Sequence, residues 1–573
     1  MRLTVMSVFA LALTGCGKDL PTPDSPADEL YVDATSFSNP IIAGFAPDPS
    51  LVRVGEDFYL VNSSFEYFPG LPIYHSRDLV NWSLIGYALA NPVTAYLDDV
   101  DASGGIHAAT IRYHDGVFYV VTTNIVHERP VSFIVTARNP AGPWSDPVVV
   151  EDAEGIDPSL FFDDDGRVWY HANRTKEEPS FPGEAEIWLQ ELDRDTLQLI
   201  GPRSVLWSGC CQGVWAEGPH IYKRDGTYYL LISEGGTSYK HAIAVAIADD
   251  VQGPYQNNPR NPILTHRHLS LDYPITGVGH ADLVELADGR WYAVALGWRL
   301  MERQHGLLGR ETFLLPVTWE TDREWWVDPK RTYPVFSPTS GRVDLEYPLP
   351  FADQRQRATA GFVDEFDGAT LKLEWNMRRS HSQPFHALAD GKLVLDLQAQ
   401  AIANRAQYSF LGVRQRDFAF HAETAMQFEP KSTGEEAGLM IVQKDAAAFG
   451  LTVRGGDDSH EAVLWQTLYG ERTDIAVQPI ASATTVLRVE GDGTTYRFYA
   501  GSSDSMAQMG GDIDAAPVLS PNVLRGFNYT GVYIGVYGSS NGAVTTSQAR
   551  FERFVYSPEP PSNGDWFTWG EDK

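Results

Sequence analysis

The chain has 573 residues, with 43% hydrophobic and 21% charged side chains, 50 Gly and 36 Pro, a composition of folded, turn-rich proteins that excludes disordered and fibrous classes. Its 75 Asp plus Glu against 44 Lys plus Arg give a formal net charge of −31, a field that repels phosphate backbones and anionic lipid headgroups and so excludes nucleic acid as a partner. With 12% aromatic residues, it suits a neutral, hydroxyl-rich ligand held by ring faces and carboxylates.

In chain order, residues 1–16 read as an export signal: Arg2 supplies the positive end, and Val5 to Leu13 is apolar but too short to span a bilayer. It ends Leu13-Thr14-Gly15-Cys16, which resembles a bacterial lipoprotein signal. The expectation is an exported lipoprotein acylated at Cys16, facing the periplasm or held at the outer membrane or cell surface, with membrane contact only through that anchor. Residues 17–37, rich in Pro, Asp and Ser, read as a tether. No later stretch approaches 18 uninterrupted apolar residues.

From residue 38 one phrase recurs five times: a small or Pro-containing start, an apolar pair, a turn with Asp or Gly, then an aromatic run ending in Tyr. The copies are APDPSLVRVGEDFYLV (46–61), AATIRYHDGVFYVV (108–121), IDPSLFFDDDGRVWYHA (156–172), AEGPHIYKRDGTYYLLI (216–232) and VGHADLVELADGRWYAVAL (278–296). Their tyrosines, Tyr59, Tyr119, Tyr170, Tyr229 and Tyr292, fall about 50 to 63 residues apart. The turn with Asp or Gly between alternating runs, Asp-Gly in four of the copies, predicts a hairpin in each, because these residues accept the positive φ of a tight turn. A second phrase, SRDLVNW, ARNPAGPW and ADDVQGPY, predicts an outer strand with its own turn. Five sequential units of about four antiparallel strands predict a five-bladed β-propeller over 38–335. A connecting segment at 336–360 precedes alternating strands such as Lys392–Leu397, Thr485–Val489 and Gly531–Tyr537, which predict a β-sandwich over 361–558, with a tail at 559–573. The expected fold is all-β, since helical periodicity is nearly absent.

Aligning the copies on their tyrosines places Asp48, Ala108 with His107 before it, Asp157, Glu217 and His280 at the start of each innermost strand. Asp48, Asp157 and Glu217 stand beside Pro or Gly at an apolar strand entrance, unlike Asp163, Asp164 and Asp165, which read as hairpin-tip residues. Acids capping backbone N–H groups are the alternative for each one singly. Converging carboxylates suit glycoside hydrolysis, where one acid protonates the departing oxygen and another activates water or attacks the anomeric carbon. Cys210 and Cys211 are adjacent, which allows either a vicinal disulfide or two buried thiols, and neither has partners at metal-ligand spacing.

The carboxylate triplet, in this order and spacing within these phrases, resembles glycoside hydrolase family 43. FVDEFDGATLKLEW at 362–375 and the closing GVYIGVYGSS and FERFVY resemble the concanavalin-like C-terminal sandwich of its β-xylosidase-type members. The resemblance implies that Asp48 is the general base, Glu217 the general acid, and Asp157 the residue that orients Glu217 and tunes its pKa, with inversion of configuration. It implies a sugar subsite bordered by Phe65 and His107, with Arg310 bonding sugar hydroxyls. It also places His280 in a channel where some members hold Ca²⁺, a satisfied buried imidazole being the alternative; no cofactor is required. Where relatives read Gly-Ile-aromatic-Ala-Pro, this chain has Gly105-Ile106-His107-Ala108-Ala109, so one wall of the pocket is polar.

The expected activity is exo-hydrolysis that removes terminal β-D-xylosyl residues from xylo-oligosaccharide or hemicellulose substrates, with α-L-arabinofuranosidase action as the alternative. A retaining fructosidase is less favoured, because its Asn-Asp-Pro-Asn and Arg-Asp-Pro motifs are replaced here by Ala46-Pro47-Asp48-Pro49 and Gly155-Ile156-Asp157-Pro158. A non-catalytic sugar-binding lipoprotein is disfavoured because all three carboxylates are retained.

Overall fold

The computed structural model describes residues 31–32, 35–321, 331–352, 354–357, 360–402, 407–455, 460–480, 484–526 and 528–559. The expected signal with Cys16, most of the tether and all of the tail beyond Glu559 lie outside the described residues.

Each of the five repeated phrases folds as an antiparallel hairpin, and each hairpin begins a sheet. Sheet I runs Ser50–Val54, Asp57–Val61, Gly70–Ser76 and Ser83–Leu89, in chain order across the sheet. Sheets II to V open with the hairpins Thr110–His114/Val117–Val126, Ile156–Phe162/Val168–Thr175, Glu217–Arg224/Thr227–Glu234 and Ile275–Glu285/Trp291–Arg299. The second phrase is the turn that follows the third strand in sheets I, II and IV. Because neighbouring sheets cover both faces, interior strands carry apolar residues without alternation: Ala242–Ala248 is buried at every position.

The first strands stand side by side in chain order, and the first strand of sheet V returns to touch that of sheet I, closing a ring. The segment before sheet I fastens the closure. Ile41 and Ala46 donate their N–H groups to the carbonyls of Thr312 (2.9 Å) and Arg310 (2.9 Å) on the third strand of sheet V, Arg310–Thr321. This pairing carries Asp48 alongside Arg310. The end of the predicted tether is also structured: Ser36–Ser38 pairs with Glu346–Pro348 and Tyr31–Val32 with Gln356–Arg357, so two strands of the connecting segment hold the chain entering the domain.

Residues 362–558 form two further sheets, of eight and six strands, around one apolar core that includes Trp375, Leu439, Phe449, Phe498 and Phe554. Their strands alternate where one face meets solvent, as in Ala419–Gln427. The strand expected at Gly531–Tyr537 runs Tyr533–Ser539. The sole helix among the described residues, Ala516–Leu519, is one turn long. The outer face of the six-stranded sheet packs against the first half of the chain: Tyr533 stacks on Tyr67 with ring centroids 3.8 Å apart, beside Phe45, Phe65, Met440 and Val442. Behind this contact, Arg378 bonds Glu66 (2.9 Å) and Asp445 (3.1 Å), and Arg379 bonds Asp445 (2.6 Å). Burial makes each of these ions depend on its partners.

Candidate active site

Asp48, Asp157 and His280 enter the ring by the same backbone device. Each adopts a left-handed conformation, with φ of 49°, 54° and 48°, two residues before its strand resumes pairing at Ser50, Ser159 and Asp282. In sheet IV the corresponding residue is Gly218, with φ of 57°, two residues before His220. Glu217 therefore does not share the address expected from the tyrosine alignment but stands one residue ahead of it. A left-handed residue re-aims the side chains around it, and such bends cluster at functional sites. In sheets III to V the pairing register also shifts at this point.

The three carboxyls meet in one hollow but in different surroundings. Asp48 is 4% exposed. Its Oδ1 accepts from Arg310 Nη1 at 2.8 Å, its Oδ2 accepts from the Ser63 hydroxyl, and His280 Nδ1 lies 3.8 Å from Oδ1. Burial opposes its charge, but Arg310, His280, the Ser63 hydrogen bond and His107 outweigh it and hold the pKa below the ordinary carboxylate value. Asp157 is driven the other way, well above the ordinary value, by burial first and then by the charges of Glu217 and Asp48; the Gly218 N–H at 3.2 Å only partly offsets this. Like charges crowded into one site leave a proton on the Asp157 side. Glu217 is the most open, with 17% of its side chain exposed and His241 Nε2 3.5 Å from Oε1.

Phe65, His107 and Arg310 border the same hollow. The rings of Phe65 and His107 lie 4.8 Å apart, and the Arg310 guanidinium sits 5.4 Å from the Phe65 centroid. Burial lowers the pKa of both His107 and His280, favouring neutral rings. His107 Nδ1 bonds the Gly105 carbonyl at 3.0 Å, which holds the imidazole beside Phe65.

Four further residues escaped the repeat pattern. Tyr529 comes from the C-terminal domain: its ring lies 5.7 Å from Phe65 and 5.5 Å from the Arg310 guanidinium, and all three carboxyls act on its hydroxyl. It reaches the hollow because Gly309 and Gly531 let two backbones touch, a Cβ on Gly309 meeting Gly531 Cα at 2.8 Å. Ser103 Oγ then accepts the Tyr529 N–H at 2.9 Å. His241, 0% exposed, lies flat on Gly279, where a Cβ would come within 2.3 Å of the ring, and its Nδ1 is 3.2 Å from the Gly277 carbonyl. A carbonyl only accepts, so Nδ1 carries hydrogen and Nε2 is the edge presented to Glu217. Ser63 and Thr237 complete the set, the latter accepting from Arg310 Nη1 at 3.2 Å.

Below the carboxyls, the residues where pairing resumes form a polar network. Asp282 accepts from Ser50 Oγ (2.6 Å), Arg112 Nη1 (2.8 Å) and the Tyr222 hydroxyl (2.5 Å), while His220 Nδ1 meets Arg112 Nη2 (2.9 Å) and Ser159 Oγ (3.1 Å). Around His280 the protein offers few oxygens of its own, because Asp48 is engaged by Arg310 and Ser63; of the six to eight oxygens a calcium ion takes, most would come from water. The cysteines depart from both expectations: they form no disulfide, and while Cys210 is buried, Cys211 is exposed. Cys210 is occupied instead by Glu234, which accepts from its N–H (3.0 Å) and thiol (3.1 Å). Of the hairpin-tip acids, Asp163 joins neighbouring sheets through Lys223 at 2.7 Å and Tyr228 at 2.8 Å.

Comparison with known proteins agrees with this geometry. Residues 37–325 match the family model for glycosyl hydrolases family 43, and residues 363–557 match that for the β-xylosidase C-terminal concanavalin A-like domain. A xylosidase/arabinosidase of Butyrivibrio fibrisolvens is 38% identical over 90% of this chain and 98% of its own length. A non-reducing-end α-L-arabinofuranosidase of Bacteroides ovatus is 38% identical over 91% of this chain and 94% of its own. The solved structure of a xylan β-1,4-xylosidase from Bacillus halodurans superposes with a TM-score of 0.84 at 31% identity, over 91% of this chain and all of that one. Structural relatives of this kind are β-propellers followed by a β-sandwich. Both halves being matched over nearly their full length, the chain belongs to family 43 of the glycosyl hydrolases.

Proposed function

We propose that the protein is an exo-acting, inverting glycosidase that removes terminal β-D-xylosyl residues from xylo-oligosaccharides or hemicellulose fragments, on a propeller whose five sheets are five blades. The observation that carries this reading is the convergence of Asp48, Asp157 and Glu217 from sheets I, III and IV, with the ionised state favoured at Asp48 and a proton retained beside Glu217. Asp48 takes a proton from a water whose oxygen attacks the anomeric carbon; Glu217 gives its proton to the glycosidic oxygen as the C–O bond breaks. The products are a free pentose of inverted configuration and the shortened saccharide, whose freed hydroxyl carries the proton from Glu217. This displacement needs a gap of about 6.5 to 9.5 Å between acid and base to admit the water. Arg310 and Ser63 keep Asp48 charged and aimed, Asp157 orients the acid, and Phe65, His107 and Tyr529 enclose one terminal ring, which favours exo action.

A second substrate class, terminal α-L-arabinofuranosyl groups, is supported by the names of the two relatives above. Export and anchoring through Cys16 remain part of the proposal and are tested by metabolic labelling with a fatty acid, which Cys16→Ser should abolish. The catalytic reading is tested with aryl β-D-xyloside and aryl α-L-arabinofuranoside. The parent protein should hydrolyse at least one of them; an Asp48→Ala protein that matches its rate on that aryl glycoside, or a Glu217→Ala protein that matches its rate on xylobiose, would refute the assignment.

A further inference from the structure

The group that protonates the departing oxygen also marks where the rest of the substrate lies. If Glu217 is the acid, the leaving sugar extends over the Glu217 side of the hollow, since Phe65, His107, Arg310 and Tyr529 wall the other sides. Two residues before Glu217 stands Trp215, the one exposed tryptophan among the described residues, with 55% of its surface open.

Its setting is built to hold an indole flat. Trp215 is itself left-handed, with φ of 51°, an uncommon conformation for a bulky residue. Its N–H donates to the Gly183 carbonyl at 2.7 Å, and the Val214 carbonyl before it accepts from Gly235 N–H at 2.7 Å. The indole lies across two glycines from different loops. A Cβ on Gly183 would come 3.2 Å from Nε1, and one on Gly236 would come 2.7 Å from Cε3. One side of the ring thus rests where no side chain fits, and the rest of its surface faces solvent. The loop beneath it continues into the pocket: Thr237, next to Gly236, accepts from the Arg310 guanidinium that also holds Asp48.

We propose that Trp215 is the stacking platform for the sugar unit that leaves, binding the flat C–H face of a pyranosyl ring on the acid side of the cleaved bond. This rests on the hydrolase reading and adds to it a residue that sets preference for the leaving group. Neutral sugar rings present an apolar face that an aromatic surface takes up, while their hydroxyls stay in water.

The test separates the two claims. In a Glu217→Gln background, calorimetric titration with xylobiose and with xylose should show that adding Trp215→Ala weakens the disaccharide about tenfold while leaving the monosaccharide unchanged, with Trp215→Phe recovering most of the loss. In turnover, Trp215→Ala should lower kcat/KM on xylobiose by about the same factor yet leave xylosyl fluoride, whose leaving group has no ring, within about twofold of the parent. Loss on both ligands together, or on neither, overturns the platform. A parent that binds xylobiose through Trp215 but cleaves nothing would keep the platform and overturn the hydrolase reading.

Discussion

The Asp48 and Glu217 corners of the hollow differ in nearly every physical respect. Asp48 is sealed, 4% exposed, and held from two sides by Arg310 and Ser63; the Glu217 side chain is 17% exposed, lies 3.5 Å from the His241 imidazole, and follows the exposed Trp215 by two residues. A base that must stay charged benefits from burial only if cations and hydroxyls replace lost water, which is what Asp48 has. An acid that must exchange its proton and admit a leaving group needs an opening. Under the proposed assignment the asymmetry gives direction as well as chemistry: the terminal ring is enclosed and the rest of the chain leaves past Glu217.

The strongest way to break this comparison is to remove each corner. Asp48→Ala and Glu217→Ala should each lower kcat/KM on xylobiose by roughly 10² to 10⁴-fold, measured by product release. A smaller effect is expected from His241→Ala, which frees Glu217 Oε1. It should reduce kcat on xylobiose by about tenfold with little change in KM, and spare substrates whose leaving group needs no proton. Arg310→Gln sharpens the difference through pH. Arg310 depresses the Asp48 pKa, so its loss should raise that pKa and move the acidic limb of the kcat/KM profile to higher pH; an unmoved limb would deny Arg310 this role.

The smallest effect is on stability. Asp157 stays protonated in the fold at pH values where the unfolded chain ionises it, so its burial destabilises the protein above the unfolded value of about 3.9 and ceases to do so as pH falls below it. Asp157→Asn should then raise Tm at pH 7 while lowering activity, with the Tm difference closing toward pH 4.

The repeated half of the molecule was legible because each hairpin carries its own turn chemistry, Asp-Gly at the tip in four copies and Gly55-Glu56 in the first, and because Pro or Gly stands at the entrance of the strands that bear the acids, so local signals sufficed to locate Asp48, Asp157 and Glu217. The one-residue offset of Glu217 was hidden because the copies are not equally long between the bend and the tyrosine: Asp48 precedes Tyr59 by 11 residues but Asp157 precedes Tyr170 by 13. Spacing to a distant tyrosine blurs which residue takes the left-handed position, and in sheet IV Gly218 takes it. Tyr529 had no such signal. It reaches the hollow through a backbone contact between Gly309 and Gly531, 222 positions apart, and nothing in its own neighbourhood of the chain marks it. His241 was likewise unmarked, since a single histidine carries no pattern until Gly279 is seen beneath its ring. The Cys210 and Cys211 pair misled because adjacency says nothing of Glu234, which draws one thiol inward and leaves the other outside.

The division of labour between the two corners is tested most directly with 2,4-dinitrophenyl β-D-xyloside, whose phenolate departs without a proton. Glu217→Ala should turn it over at a rate near that of the parent while failing on xylobiose, and Asp48→Ala should fail on both. The reverse pattern, or equal loss on both substrates for Glu217→Ala, would contradict the assignment of the open corner to the acid and the sealed one to the base.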